Sequence, residues 1–115
     1  MIGEDKGLKV TYEEFLSMDF KIGEIVACEE TKKSSKLLCF KVRVNQDILQ
    51  IVSGVKGHYQ PEEVIGKKVL VLTNLKPTTL AGINSDGVIL SAEDNNGNFS
   101  FVVPERDVEV GADVC

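Results

Sequence analysis

Cys28, Cys39, Cys115 and His58 are the only thiols and the only imidazole in this 115-residue chain, and their placing limits the chemistry open to it. No CxxC pair occurs, and a single histidine cannot complete a structural zinc set, which ordinarily takes four closely spaced Cys or His ligands. An odd number of cysteines, in a chain whose 43% hydrophobic residues can supply a core, reads as three reduced thiols rather than a disulfide framework. His58 lies between Gly57 and Tyr59 in an expected loop, with no motif that would pair it with a cysteine nucleophile. The carboxylate pairs Glu13/Glu14, Glu29/Glu30 and Glu62/Glu63 fall in expected helix turns or at a strand end, where solvation or capping accounts for them. The glycines make neither a GxGxxG nor a P-loop pattern. Ser53 precedes Gly54 but lacks the glycine two residues earlier that a nucleophile elbow needs. The expectation is a chain with no catalytic constellation, no metal and no cofactor.

What remains is basic. The net charge of −5 hides a segmental asymmetry. Residues 1–31 carry three lysines against eight acids (−5), residues 32–76 eight lysines and Arg43 against three acids (+6), and residues 77–115 Arg106 against seven acids (−6). Such a distribution can build a local positive surface on an acidic protein. Lys32, Lys33 and Lys36 flank Ser34-Ser35 in an expected turn, and Lys41 and Arg43 project from the strand after it. Lysines attract phosphate, and neighbouring Ser or Asn groups hydrogen-bond sugars and base edges. With no Trp, five Phe and two Tyr, most of the Phe on apolar strand faces, stacking along any single strand is disfavoured and recognition of a structured RNA stays open.

The elements that must position these groups are short. Thr11 suits a helix N-cap with Glu14 three residues on, and Val10 is placed to staple onto Phe15. Residues 20–29 read as a strand whose phase breaks at Gly23, the mark of a bulge or sharp bend. Residues 38–44 alternate cleanly, Asn45-Gln46-Asp47 reads as a turn, and residues 48–52 form a third strand running into Ser53-Gly54. Residues 61–66 read as a one-turn helix with proline near its start and glycine beyond its end, and residues 67–73 as a fourth strand. After a loop rich in Gly, Pro and Asn, residues 88–92 and 99–103 are expected to pair across Asn96-Gly97, Pro104 ends that unit, and residues 108–114 supply one more edge strand. The spacing leaves no room for βαβ crossovers and predicts an all-β fold. The best fit is an OB-fold five-stranded Greek-key barrel with short helices and a C-terminal strand extension, ahead of an SH3-like barrel. One domain is expected over residues 12–115, preceded by a lead-in over 1–11. No apolar run exceeds four residues and the opening decapeptide has no signal-like stretch, so the chain is expected to be soluble and cytosolic.

Several ordered motifs carry a resemblance. Gln50-Ile51-Val52-Ser53-Gly54 is followed by Pro61-Glu62-Glu63-Val64-Ile65-Gly66-Lys67-Lys68-Val69, then by Asn74-Leu75-Lys76-Pro77, Leu80-Ala81-Gly82, Ser85-Asp86-Gly87 and Ala92-Glu93-Asp94. Upstream stand Asp19-Phe20-Lys21-Ile22-Gly23-Glu24-Ile25 and the pair Lys36-Leu37. Over residues 12–115 the chain resembles the tRNA-binding domain appended to methionyl-tRNA synthetases and found alone as their beta subunits. The resemblance implies an OB-fold homodimer, joined partly through C-terminal extensions, that binds tRNA with little sequence preference and without catalysis, alone or as partner of a synthetase catalytic chain. Position by position it implies RNA contacts at Lys36, Ser53, Asn74, Lys76 and Ser85, to which charge and placement add Lys33. CsaA-type secretion chaperones, associated with exposed apolar peptides, share the implied barrel and supply the alternative. The chain departs from the family pattern where Thr31-Lys32-Lys33-Ser34-Ser35 replaces a His-Pro-Asn-Ala-Asp run, and at Leu49 and Val88 where arginine and methionine are usual.

Overall fold

Alternation of apolar and polar residues, broken by glycine and asparagine turns, folds the chain into short antiparallel strands around one core. The computed structural model describes residues 8–32 and 34–115. Helix α1 (Tyr12–Leu16) opens on a full capping box, the Thr11 side chain accepting from Glu14 N–H and the Glu14 side chain from Thr11 N–H. Val10 is 69% exposed, so the expected staple onto Phe15 covers little of it. Strand β1 (Phe20–Glu30) is followed by β2 (Leu38–Val44), β3 (Asp47–Ser53), α2 (Pro61–Val64) and β4 (Lys68–Leu72). The hairpin β5 (Thr78–Leu80) and β6 (Ile83–Ser85), strand β7 (Val88–Ile89), and the hairpin β8 (Ser91–Glu93) and β9 (Phe99–Phe101) complete it.

Five strands form one antiparallel sheet in the order β3-β2-β1-β4-β7, so β1 pairs with both β2 and β4, as the first strand of an OB-type Greek key does. The sheet curls until its ends approach: the Asp86 N–H, just before β7, donates to the Gln50 carbonyl on β3 (2.7 Å). Ile25, Leu38, Phe40, Val42, Ile51, Val69 and Val71 fill the interior, with Val64 of α2 set into it. Phe101 meets Phe40 edge-on at 5.9 Å and stacks on Tyr59 at 4.4 Å, while the Tyr59 hydroxyl accepts the Phe101 N–H (3.1 Å). These contacts anchor the β8–β9 hairpin to the barrel. Among the described residues no helix is long and apolar enough to cross a membrane.

Three local expectations need correction. The register of β1 against β2 shifts between Ile25 and Ala27, so the bulge sits at Val26 and not at Gly23. Gly23 serves close packing instead: a Cβ there would stand 2.6 Å from Val42 Cγ1 and 3.1 Å from Val71 Cγ2. The strand expected over 88–92 divides into β7, which pairs with β4, and β8, which pairs with β9. The edge strand expected over 108–114 is narrower. Gly111 and Val114 donate to Ile22 and Phe20, and Ile22 donates to Ala112, so only residues 111–114 line β1.

Candidate nucleic-acid interface

Antiparallel pairing of β2 and β3 sets Ser53 opposite Leu38 and thereby brings the turn before β2 against the chain leaving β3. Lys36, in that turn, accepts the Lys56 N–H at its carbonyl (3.2 Å) and donates its own N–H to Ser34 Oγ (3.2 Å). Thr31 Oγ1 braces the same turn by donating to the Ser34 carbonyl (3.1 Å). The Lys36 side chain is exposed, and Ser53 ends β3 half-buried beside it. Lys33 lies outside the described residues.

The stretch expected as a plain loop, between β4 and β7, is a ribbon. Leu80 pairs with Ile83 across Ala81 and Gly82, whose φ values of +50° and +76° match a primed two-residue turn. Lys76 is exposed just before Pro77, where the chain enters this ribbon. Thr78 pairs with Ser85, and the Ser85 hydroxyl accepts the Val52 N–H (3.0 Å) and donates to the Gly87 carbonyl (3.2 Å). Leu38 thus pairs with Ser53 on β2–β3 and Thr78 with Ser85 on β5–β6, and the bond from Val52 N–H to the Ser85 hydroxyl joins the two sheets.

These placements divide the residues singled out from the sequence. Lys36 and Ser53 stand together, and Lys76 arrives on the adjacent ribbon. Ser85 is 2% exposed, with its hydroxyl spent on backbone partners. Asn74 accepts the Asp19 N–H at Oδ1 (2.9 Å) and donates from Nδ2 to the Ser17 carbonyl (2.7 Å), so its amide clamps the α1–β1 junction. Sequence reasoning passed over two further residues. Lys56 is held beside Lys36, its ammonium 3.0 Å from Glu30; its place in the basic middle third, three residues after Ser53, was the available signal. Gln50 on β3 accepts from Lys41 Nζ (2.6 Å) and donates to the Asn84 carbonyl (2.8 Å), bonds that no local pattern announces.

Electrostatics separate the cations. Lys21, Arg43, Lys56 and Lys68 each face a carboxylate, Arg43 at 2.5 Å from Glu24 and Lys68 at 2.7 Å from Asp107. Lys36 and Lys76 make no salt bridge among the described residues. Burial pushes the Cys28 thiol up to about 11 and raises that of Cys39, so both stay protonated and weakly nucleophilic at neutral pH. His58 stacks on Phe99 at 4.2 Å. The surface offers cations, hydroxyls and amides, a set suited to binding phosphate and ribose.

Comparison with known proteins bears on this arrangement. The family model described as "Putative tRNA binding domain" matches residues 20–113. The methionine–tRNA ligase of Methanocaldococcus jannaschii is 46% identical over 97 residues, covering 84% of this chain, and that of Bacteroides fragilis 41% over 105 residues, covering 91%. The chain spans about 15% of the length of these ligases. A methionyl-tRNA synthetase-related protein from Pyrococcus horikoshii superposes with a TM-score of 0.86 at 30% identity, over 94% of this chain and 99% of that one. The chaperone CsaA from Bacillus anthracis shares the fold with a TM-score of 0.84 at 21% identity, over 94% of this chain and 100% of its own. On the family match, the ligase relatives and the barrel shared with the Pyrococcus protein, this chain belongs to the tRNA-binding domain family.

Proposed function

We propose that the chain is a non-catalytic tRNA-binding module of the cytosol that acts as a homodimer or as the beta subunit of a methionyl-tRNA synthetase. The observation that carries this reading is the pair of exposed lysines Lys36 and Lys76, which make no salt bridge among the described residues, with Ser53 near the first. Phosphate contacts of this kind position RNA without reading its sequence. To a synthetase the module lends uniform binding energy, which lowers an apparent KM and leaves the chemical step unchanged.

The dimer is supported by the other end of β1. Helix α1 buries none of its residues, and Tyr12, Leu16 and Met18 stay exposed next to a hollow also lined by Phe15, Phe20 and Val114. A second copy covering that face would bury what one copy leaves in water.

The test is a salt titration of binding to bulk tRNA, with a plain RNA duplex as competitor and light scattering at micromolar protein. Binding should be competed poorly by the duplex and fall with a log–log slope of about −3 to −5, the value for roughly five neutralised phosphates. A monomeric mass would remove the dimer. No tRNA binding at low salt, together with salt-insensitive binding of an apolar peptide, would replace the reading with a CsaA-like chaperone.

A further inference from the structure

The β5–β6 ribbon touches the barrel through few side chains. Thr78, Thr79 and Leu80 are exposed, and of β6 only Ser85 is buried. A two-stranded hairpin is marginal by itself in water, so its angle to the body depends on what ties it down. One tie is the Val52 N–H to the Ser85 hydroxyl; two others meet at Gln50, which Lys41 holds from the barrel side. Its Oε1 accepts from Lys41 Nζ (2.6 Å), its Nε2 donates to the Asn84 carbonyl (2.8 Å), and its own carbonyl accepts the Asp86 N–H (2.7 Å). Asn84 is bonded in turn across the ribbon, its Oδ1 accepting from Thr79 Oγ1 (3.1 Å).

We infer that Gln50 is a positioning residue: its amide latches the ribbon to the outer face of β2–β3 and so holds Lys76 where tRNA meets it. The inference rests on the tRNA reading above. A primary amide of this length suits the place, because one end must accept from an ammonium and the other must donate to a carbonyl. A carboxylate accepts at both ends and a thioether does neither usefully. A ribbon fixed before binding spares the complex the entropy of ordering it, so the latch adds affinity without touching RNA.

The test uses Gln50→Met, which keeps side-chain length and net charge, alone and combined with Lys76→Ala in the full chain. Amide hydrogen exchange at residues 84–86 should quicken by about tenfold, while exchange in the β1–β2 ladder stays at the parent rate. Affinity for bulk tRNA should fall roughly three- to tenfold, the range for a lost hydrogen bond. In the Lys76→Ala background the same substitution should cost less than about twofold, since the group it positions is gone. Unchanged exchange at 84–86 overturns the latch, and losses that simply add overturn its link to Lys76. If the parent chain itself shows no salt-sensitive tRNA binding, the functional reading fails and exchange alone decides the latch. Should Gln50→Met not fold, Gln50→Asn, one methylene too short to reach both partners, is read in the same way.

Discussion

Lys21 and Lys68 are held by Asp113 and Asp107 of the acidic C-terminal segment, whereas Lys36 and Lys76 extend from the middle of the chain with no acidic partner among the described residues. The first pair sits between two parts of the fold, and the ammonium groups are the fastening. In the second pair no described carboxylate takes up the charge. Residue type is thus a poor guide to role, and the local supply of carboxylates is a better one. Within the basic stretch of residues 32–76, Arg43, Lys56 and Lys68 are taken up by Glu24, Glu30 and Asp107, whereas Lys36 and Lys76 have no acidic partner among the described residues.

That contrast can be broken in order of expected effect. Lys36→Ala with Lys76→Ala should weaken tRNA binding by about 10- to 100-fold and flatten the salt slope by roughly two, measured by filter binding across a salt series. Thermal stability should hardly move. An unchanged slope would return these lysines to the class of solvated surface charges. Ser85→Ala should do the reverse. The buried Val52 N–H loses its acceptor, at a cost of about 1–3 kcal/mol in denaturant unfolding, and any change in tRNA affinity should follow stability alone. Lys21→Met should lower the melting temperature while tRNA affinity stays at the parent value. Glu30→Gln, which frees Lys56, should raise affinity by roughly twofold at low salt, an increment that high salt erases.

Acid and base should loosen the C-terminal fastening by opposite routes. Hydrogen bonding to Lys68 lowers the Asp107 pKa, so its contribution is present above the ordinary carboxylate value of about 3.9 and is lost as pH falls through the depressed one. The bond to Asp113, then that to Asp19, raises the Lys21 pKa, so its contribution is present below about 10.4 and is lost as pH rises through the elevated one. Melting temperature should be flat between about pH 5 and 9 and decline outside that range.

Local chemistry was legible in the sequence. The Thr11–Glu14 capping box forms as expected, and a hairpin does turn through Asn96-Gly97, though it pairs only residues 91–93 with 99–101. The purpose of Gly23 was hidden because Val42 and Val71, whose side chains leave no space for a Cβ, are remote in sequence. For Ser85 and Asn74 the resemblance implied RNA contacts, and their part as clamps was not legible, since their partners Val52 and Asp19 stand 33 and 55 residues away. A motif records that a residue is required; only the packed structure separates an internal requirement from one imposed by a ligand.

The backbone bonds joining residues 111–114 to Phe20 and Ile22 also set a timetable. Lys21 and Asp113 are 92 residues apart, so at about 5–20 residues per second a ribosome needs on the order of 5–20 s to add the second after the first. During that interval the outer edge of β1 has donors and acceptors without partners, the condition under which strands of separate nascent chains pair with one another. A chain cut before residue 111 would leave that condition permanent, and it should aggregate even though β1 to β9 are all present.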